Sequence, residues 1–505
     1  MIYDGSGEKP YLGSVGIKDD RIIYVGENTA FESDTIIDAS GLSVSPGFIN
    51  MLSWGYNTLM KDGRGLSDLV QGVTLEIFGE GTSPGPYYDN GKLISFEDAM
   101  VKLEKNGVSQ NIASFLGAAT TRILEVGYDN RDATDLEMKK MRDIVRKSME
   151  EGAMGIGSSL IYAPGDYAST EELIELSKVA SKYGGMYISH MRNEGNTLLE
   201  ALGEFIRIAK EADISAEIYH LKASREPNWE KLDKVIEIVE EARDQGLKIT
   251  ADIYTYNASS TGLTGVIPTW VQEGGHDAWI KRMKDPSVRP RLLQDIRDEL
   301  SEQPPEKILM VGFQTPDMSK KYLAKTVAEA AQMRGQSPEE AIVDMVIEDN
   351  HRIQCIYFSM SEENIRKKIQ LPWVSFCSDA GIYSDISKSF RTHPRAFGSF
   401  TRVLGKYSRD EKLFPLEEGI RRLTSFPASN LNLKDRGMLK NNYFADIVIF
   451  DSKKVNDNAT FEDPLQFSDG VDHVIVNGTP VLLNGQHTNK FSGRFVRGPG
   501  YSKED

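Results

Sequence analysis

The spacing of hydrophobic and polar positions changes along the chain and divides it into two β-rich ends and a long middle. Near the beginning, short apolar runs are separated by glycine and aspartate turns. Strands are predicted there at Ser14–Ile17, Arg21–Val25 and Thr35–Asp38. Near the end, strands are predicted at Phe444–Asp451, His473–Val476 and Thr479–Leu483. We expect residues 1–45 and 433–505 to build one small β-sandwich domain, since the two ends of a chain are often neighbours.

In the middle of the chain, strand-like apolar runs alternate with stretches of helical periodicity. The runs are Met186–His190, Ser215–His220, Lys248–Tyr254, Ile308–Val311, Gln354–Phe358 and Val374–Cys377. Helices are predicted at Asn196–Ala212, at Trp229–Gln245 and from a capping box at Ser169 to about Tyr183. This alternation indicates parallel βαβ units, and a strand number near eight favours a closed barrel.

The predicted fold class is therefore α/β: a TIM-like (β/α)8 barrel over residues 46–432 with the small β-sandwich attached. Residues 262–306 interrupt the alternation with Pro268, two adjacent glycines and a charged helix near Arg291–Leu300. We interpret this segment as an insertion over the mouth of the barrel.

Composition excludes several classes of function. The chain has 505 residues and a net charge of −16, which argues against nucleic acid or an anionic membrane as a partner. No apolar run approaches the ~18 residues that a membrane span needs. Cys355 and Cys377 are the only cysteines, so a disulfide framework is not expected. A soluble protein is predicted, cytoplasmic or, with an upstream export signal, periplasmic; a homo-oligomer is left open.

Three polar residues at predicted strand ends are candidates for chemistry. His190 and His220 each close an apolar run, and Asp379 closes another. In a parallel barrel the carboxyl ends of the strands meet at one mouth, where active sites lie. Two imidazoles and a carboxylate at one mouth suit a divalent transition metal and a base that activates water.

The chain also resembles a known family, the N-acyl-D-amino-acid deacylases or D-aminoacylases of the amidohydrolase superfamily. The resemblance is specific because many motifs occur in order over nearly the whole chain. They lie at Ser45–Asn50, Gln71–Thr74, Gly157–Gly165, Ile188–Gly195, His220–Lys222, Asp252–Thr261, Ser378–Gly381, His393–Tyr407 and Asp435–Asp451.

The resemblance implies roles for individual residues. His190 and His220 match the imidazoles of the tighter metal site, and Asp379 matches the general base and acid. The side chains that match the carboxylate-binding and pocket positions are Lys222, Tyr254, Arg395 and Tyr162, with Tyr256 as a competitor of Tyr254. Arg192 and Glu194 are candidates to orient His190. The implied cofactor is one divalent metal per chain, with zinc expected.

The departures from the family concern the metal. Where the family has a His-x-His pair after its first strand, this chain has Leu52 and Trp54, so a second ion is not expected. The ligand cysteine of the family is also absent. Glu80, between two glycines, lies within one position of it and is our preferred third ligand; Glu76 is the alternative.

The predicted function is a metal-dependent amidohydrolase that cleaves the amide bond of N-acyl-D-amino acids or related N-acyl amino acids, small-molecule substrates. Two alternatives stay open: a cyclic-amide hydrolase of the hydantoinase or dihydroorotase kind, and an inactive binding homologue. The carboxylate-binding set argues against a cyclic amide, which has no free α-carboxylate.

Overall fold

The computed structural model describes residues 1–27, 32–387 and 390–502. The strands are β1 (Ser14–Lys18), β2 (Arg21–Gly26), β3 (Ser43–Pro46), β4 (Phe48–Asn50), β5 (Val73–Phe78), β6 (Tyr87–Asp89), β7 (Lys92–Ile94), β8 (Asn111–Ser114), β9 (Leu116–Gly117), β10 (Gly155–Ser159), β11 (Met186–His190), β12 (Ser215–Ile218), β13 (Ile249–Ile253), β14 (Ser259–Gly262), β15 (Ile308–Gly312), β16 (Gln354–Tyr357), β17 (Val374–Phe376), β18 (Ile447–Phe450), β19 (Val471–Val476), β20 (Thr479–Leu483) and β21 (Gln486–His487).

The helices are α1 (Tyr56–Lys61), α2 (Leu66–Leu69), α3 (Phe96–Asn106), α4 (Ala118–Glu125), α5 (Asp135–Glu150), α6 (Thr170–Lys182), α7 (Leu198–Glu211), α8 (Lys231–Asp244), α9 (Thr269–Gln272), α10 (His276–Met283), α11 (Arg289–Glu302), α12 (Pro316–Tyr322), α13 (Val327–Arg334), α14 (Pro338–Asp349), α15 (Glu362–Lys368), α16 (Arg395–Arg402), α17 (Leu416–Leu423) and α18 (Ser425–Asn430). No helix within the described residues is both long enough and apolar enough to cross a bilayer.

Parallel strands form the barrel that the alternating pattern predicts. β4, β5 and β8 pair in parallel, and so do β9, β10, β11, β12, β13 and β17 in that order. Phe115 alone separates β8 from β9, so the two act as one barrel strand. Backbone hydrogen bonds join the last strand to the first: Met51 N–H donates to the Phe376 carbonyl, and Asp379 N–H donates to the Leu52 carbonyl. The prediction of a TIM-like barrel is confirmed.

The sequence explains why these segments become strands surrounded by helices. Every residue of β5 and of β11 is buried, which is typical of parallel strands that helices cover on the outside. Helix α6 begins at Ser169, whose hydroxyl accepts a hydrogen bond from the backbone N–H of Glu172 at 3.2 Å. The Glu172 carboxylate pairs with buried Arg122 at 2.7 Å and does not close the predicted capping box.

Two predicted barrel strands lie outside the barrel. β15 and β16 pair antiparallel, with β14 on the other side of β16, in a separate three-stranded sheet. This sheet and the helices α9–α14 enclose a second hydrophobic core. The interpretation of Ile308–Val311 and Gln354–Phe358 as barrel strands is therefore wrong, and the segment that leaves the barrel runs from about residue 259 to 357 instead of 262–306.

The ends of the chain meet in β-structure beside the barrel. β3 pairs antiparallel with β18 in a five-stranded sheet completed by β19, β20 and β21, while β1 and β2 form a hairpin. Ile22, Val44 and Ile447 belong to one apolar cluster between them. The strand predicted at Thr35–Asp38 is wrong, because these residues are irregular and Ile36 is 78% exposed. The domain limits at residues 45 and 433 stay a prediction.

Candidate active site

The candidate residues come together at the carboxyl ends of the barrel strands. His190 is the last residue of β11, and His220 lies two residues beyond β12. Glu80 follows β5 at the same distance, and Asp379 lies three residues beyond β17. All four side chains are buried.

Glu80, His190 and His220 form one compact cluster. Oε1 of Glu80 lies 3.0 Å from Nδ1 of His190 and 3.3 Å from Nε2 of His220. One ligand atom from each residue lies within 4.8 Å of the others, which is the separation of donors that share an ion. Two imidazoles and a carboxylate are a familiar zinc donor set. The residues present therefore fit a single divalent metal.

The backbone around this cluster adopts conformations that few residues tolerate. Gly79 and Gly81 have φ values of +109° and +68°, and a Cβ at Gly79 would lie 2.3 Å from the carbonyl oxygen of Phe115. These two glycines therefore allow the sharp turn that presents Glu80. His220 and Asp379 also have positive φ, at +35° and +49°. Such conformations are unfavourable for residues with a Cβ and concentrate at functional sites.

Glu194 contacts the side of the histidine pair that faces away from Glu80. Its carboxylate oxygens lie 3.3 Å from Nε2 of His190 and 3.3 Å from Nδ1 of His220. Each imidazole therefore turns one nitrogen to Glu80 and the other to Glu194, the arrangement in which a carboxylate orients a metal-binding histidine. Arg192, also a candidate for orienting His190, instead binds Glu204 at 2.8 Å.

The charges of this cluster favour a cation among the carboxylates. Burial alone would raise the pKa of Glu80, but hydrogen bonds and charge from His190 and His220 hold it well below its ordinary value. Burial and Lys222 lower the pKa of His220, but the carboxylates of Asp379, Glu194 and Glu80 outweigh them and raise it to about 9. The carboxylates thus draw positive charge to this place, whether on a proton or on a metal ion.

Two side chains hold the Asp379 carboxylate. Trp54 Nε1 donates a hydrogen bond to Oδ1 at 3.2 Å, and Nη1 of Arg395 lies 2.7 Å from Oδ2. Burial raises the pKa of Asp379 and outweighs the opposite effect of the Arg395 and His220 charges. An elevated pKa suits a group that must take up a proton and release it again. Trp54 has no predicted role at Asp379, and this hydrogen bond could not be predicted from the sequence.

The predicted carboxylate-binding residues lie beside Asp379. The Arg395 guanidinium carbon lies 4.4 Å from the centre of the Tyr254 ring, and Lys222 Nζ lies 5.8 Å from it. Nε of Arg395 is buried and has no hydrogen-bond partner among the residues the structure describes. Lys222 Nζ contacts Glu194 and His220 Nδ1, both at 2.7 Å.

The two remaining tyrosines occupy different surroundings. The Tyr162 ring lies 5.7 Å from the His190 ring, edge to face, and its hydroxyl donates to Thr261 at 2.7 Å. It therefore flanks the cluster of Glu80, His190 and His220. The hydroxyl of Tyr256 donates to Asp457 at 3.0 Å, so it is occupied by a contact with the C-terminal segment. Of the two competing residues Tyr254 and Tyr256, Tyr254 is therefore the one available at the site.

Glu76, the alternative ligand, lies in another buried cluster. Asn50 Nδ2 lies 2.9 Å from Oε2 of Glu76 and 3.1 Å from Oδ2 of Asp68. Burial, followed by the charge of Asp68, raises the pKa of Glu76 well above its ordinary value. Glu76 is absent from the group of residues that could share an ion with His190 and His220.

A parallel barrel with histidines and carboxylates gathered at its mouth defines the class of metal-dependent barrel hydrolases. The amidohydrolase family model (Amidohydro_3) matches residues 106–482. A D-aminoacylase of Alcaligenes xylosoxydans xylosoxydans is 31% identical, over 98% of this chain and 96% of that protein. The chain belongs to the amidohydrolase family, with the D-aminoacylases among its relatives.

Solved structures agree over nearly the whole chain. The N-acyl-D-glutamate deacylase of Bordetella bronchiseptica, in complex with zinc and a phosphonate inhibitor, has a TM-score of 0.81 at 27% identity, over 98% of each chain. A D-aminoacylase described by its binuclear metal centre, with activation by one metal and attenuation by a second, has a TM-score of 0.81 at 28% identity, also over 98% of each chain. A D-hydantoinase is more distant, with a TM-score of 0.56 at 13% identity and 99% of this chain covered, and shares the fold alone.

Proposed function

We propose that this protein hydrolyses the amide bond of N-acyl-D-amino acids. The observation that carries the proposal is the position of Asp379: it lies at the same mouth as the Glu80–His190–His220 cluster and pairs with Arg395 at 2.7 Å. A base, a metal-binding group and a cationic anchor are thus side by side. The relatives that cleave N-acyl-D-amino acids supply the substrate class and the D configuration.

Glu80, His190 and His220 are the residues that would hold the metal, and zinc is the ion we propose. When bound, the metal polarises the scissile carbonyl and lowers the pKa of water. We propose one ion per chain, because Leu52 and Trp54 stand where the family has its second pair of histidines, and neither side chain is a metal ligand.

Asp379 moves the proton. Its carboxylate accepts a proton from the attacking water and then donates it to the nitrogen of the leaving amine, so that the amino acid departs neutral at that nitrogen. The hydrogen bond from Trp54 and the ion pair with Arg395 fix both oxygens of the carboxylate in place. Burial keeps bulk water away, which strengthens the electrostatic interactions in the site.

Arg395, Lys222 and Tyr254 would bind the α-carboxylate of the substrate. The buried Nε of Arg395, without a hydrogen-bond partner among the described residues, is a free donor next to Asp379. A guanidinium and an ammonium beside a phenol form a suitable carboxylate site. A cyclic amide has no α-carboxylate to occupy it, so we favour a linear substrate. Tyr162 would line the pocket next to the metal ligands.

The experiment is a substrate panel. Purified protein loaded with zinc, manganese or cobalt is given N-acetyl-D-amino acids, their L enantiomers and a D-hydantoin, and the released amine is measured. We expect hydrolysis of the N-acetyl-D-amino acids. We expect no hydrolysis of the D-hydantoin that depends on Asp379. Cleavage of the hydantoin in preference to every linear amide would refute the proposal, and so would equal cleavage by Asp379→Asn protein.

A further inference from the structure

A large cavity adjoins the candidate active site on one side of the barrel mouth. Its volume is about 440 Å³, within the range of ~300–1,000 Å³ typical of small-molecule sites. Trp54, which donates to Asp379, forms part of its wall, and so does Gly79, the neighbour of Glu80. The cavity is therefore adjacent to the proposed base and to the proposed metal ligands.

The position of the cavity is set by the strand order. It is built by the segments that follow β4 and β5, the first and second barrel strands. Lys222 follows β12 and Tyr254 follows β13, the sixth and seventh strands. In a closed barrel of eight strands only β17, the eighth strand, separates the seventh strand from the first, so the two pairs lie on either side of Asp379. A substrate whose α-carboxylate is held at the second pair would extend its acyl group towards the first.

The walls of the cavity combine aromatic side chains with the small polar side chains of Ser53, Asn57, Thr82 and Ser83. Trp54, Tyr56, Phe78 and Tyr87 all line it. The rings of Tyr56 and Phe78 are 6.1 Å apart and perpendicular, and the Tyr56 hydroxyl donates to the Ala99 carbonyl at 3.0 Å. The Tyr56 hydroxyl is thus already satisfied. Lys102 is the one charged residue among those that line the cavity.

We infer that this cavity is the acyl pocket and that it selects a large apolar acyl group, in particular an aromatic one such as phenylacetyl. The inference rests on the proposed function and specifies the acyl group, which the proposed function does not identify. An acetyl group would leave most of the cavity to water, whereas an aromatic acyl group can pack against its four rings. Burial of that apolar area would favour the larger substrate.

The test compares N-acetyl, N-hexanoyl, N-phenylacetyl and N-succinyl derivatives of one D-amino acid. We expect kcat/KM to be at least tenfold higher for the phenylacetyl than for the acetyl derivative. A preference for the acetyl derivative would overturn the inference. A preference for the succinyl derivative would overturn the apolar assignment and point to Lys102 as an anion-binding residue.

A matched pair of variants tests the location of the pocket. Asn57 lines the cavity and is exposed on α1, so Asn57→Trp adds bulk inside the cavity at a position that the fold does not bury. We expect it to lower the phenylacetyl-to-acetyl ratio of kcat/KM at least tenfold. Lys139→Trp, at an exposed position of α5 outside the cavity, is the control and should leave the ratio unchanged. An unchanged ratio in Asn57→Trp would overturn the assignment.

A binding measurement separates this inference from the proposed function. If no N-acyl amino acid is cleaved, the proposed function fails, but the pocket can still be tested with free carboxylic acids. Calorimetry should then show tighter binding of phenylacetate than of acetate to the zinc-loaded protein, and the difference should disappear in Asn57→Trp. Equal binding of the two acids would refute the pocket.

Discussion

Trp54 Nε1 lies 3.2 Å from Oδ1 of Asp379 and donates a hydrogen bond to it. The opposite carboxylate oxygen lies 2.7 Å from Arg395 Nη1. Trp54, one of the departures from the family in the sequence, therefore helps to hold the carboxylate that we propose as the base. The expected loss of the His-x-His pair after the first strand does not by itself indicate an inactive protein.

Removal of this donor should slow catalysis. Trp54→Phe keeps an aromatic ring in the wall but cannot donate to Asp379, and a hydrogen bond to a charged group contributes about 1.5–3 kcal/mol. We expect kcat to fall about tenfold. The acid limb of the pH–rate profile should move to higher pH, since loss of a donor raises the pKa of a carboxylate. An unchanged acid limb would show that Trp54 only fills space.

Replacement of the base should separate metal binding from turnover. Asp379 has a φ of +49°, a conformation that asparagine tolerates better than most residues. Asp379→Asn should therefore fold and keep its metal while activity falls by a factor of about 10²–10⁴. Elemental analysis and initial rates on the same preparation check both statements. Activity near that of the wild type would refute the role of Asp379.

The two candidate ligand carboxylates should behave differently when each is changed to glutamine. Glu80→Gln removes the charge that lies between His190 and His220, and the protein should lose its metal. Burial and the charge of Asp68 raise the pKa of Glu76, which favours the neutral carboxyl group that glutamine imitates. We expect about one ion per chain in the wild type and in Glu76→Gln. Two ions in the wild type would contradict the proposed single site.

The buried pair of Asp68 and Glu76 should make the protein less stable as the pH rises. Burial raises the pKa of Asp68 to about 7 from 3.8. The folded state therefore retains a proton that the unfolded chain releases above pH ~4. The contribution of this carboxyl group to the free energy of unfolding is fully present below pH ~4 and is lost as the pH rises towards ~7. The free energy of unfolding should fall by on the order of 4 kcal/mol over this window.

Asp68→Asn tests this linkage, because the amide cannot ionise. The variant should show a smaller decline of Tm between pH 5 and pH 7.5 than the wild type does. Glu200→Gln, at an exposed position of α7, is the control and should leave the decline in place. If Asp68→Asn and the wild type lose the same stability, the carboxyl pair does not account for the effect.

The barrel and the histidines could be predicted because their signals are local. Met186–His190 is a continuous apolar run that ends in a polar residue, and such a run is typical of a buried parallel strand. The two strands of the second sheet carry the same apolar pattern. Ile308–Gly312 and Gln354–Tyr357 could not be distinguished from barrel strands. The spacing of apolar residues does not reveal whether a strand pairs in parallel or antiparallel with the strand beside it.

Contacts between distant segments could not be predicted in the same way. Trp54 and Asp379 are 325 positions apart. Glu194 is a candidate to orient its neighbour His190, but its contact with Nδ1 of His220, which follows another strand, was not expected. Such contacts depend on how the loops at the mouth are packed. Glu80 could be proposed as a ligand because the resemblance places it within one position of the missing cysteine and because glycines on both sides predict a tight turn. The positive φ values of these glycines agree with the predicted turn.

The left-handed backbone at His220 and Asp379 has a consequence for the history of this chain. Most residue types avoid such a conformation, and asparagine, aspartate and glycine adopt it most readily. In a lineage that lost the activity, the positive φ at position 379 would still restrict the residue type there, although the proposed role as base would no longer do so. Inactive descendants of this fold should carry asparagine or glycine there, as an inherited trace of a base that no longer works.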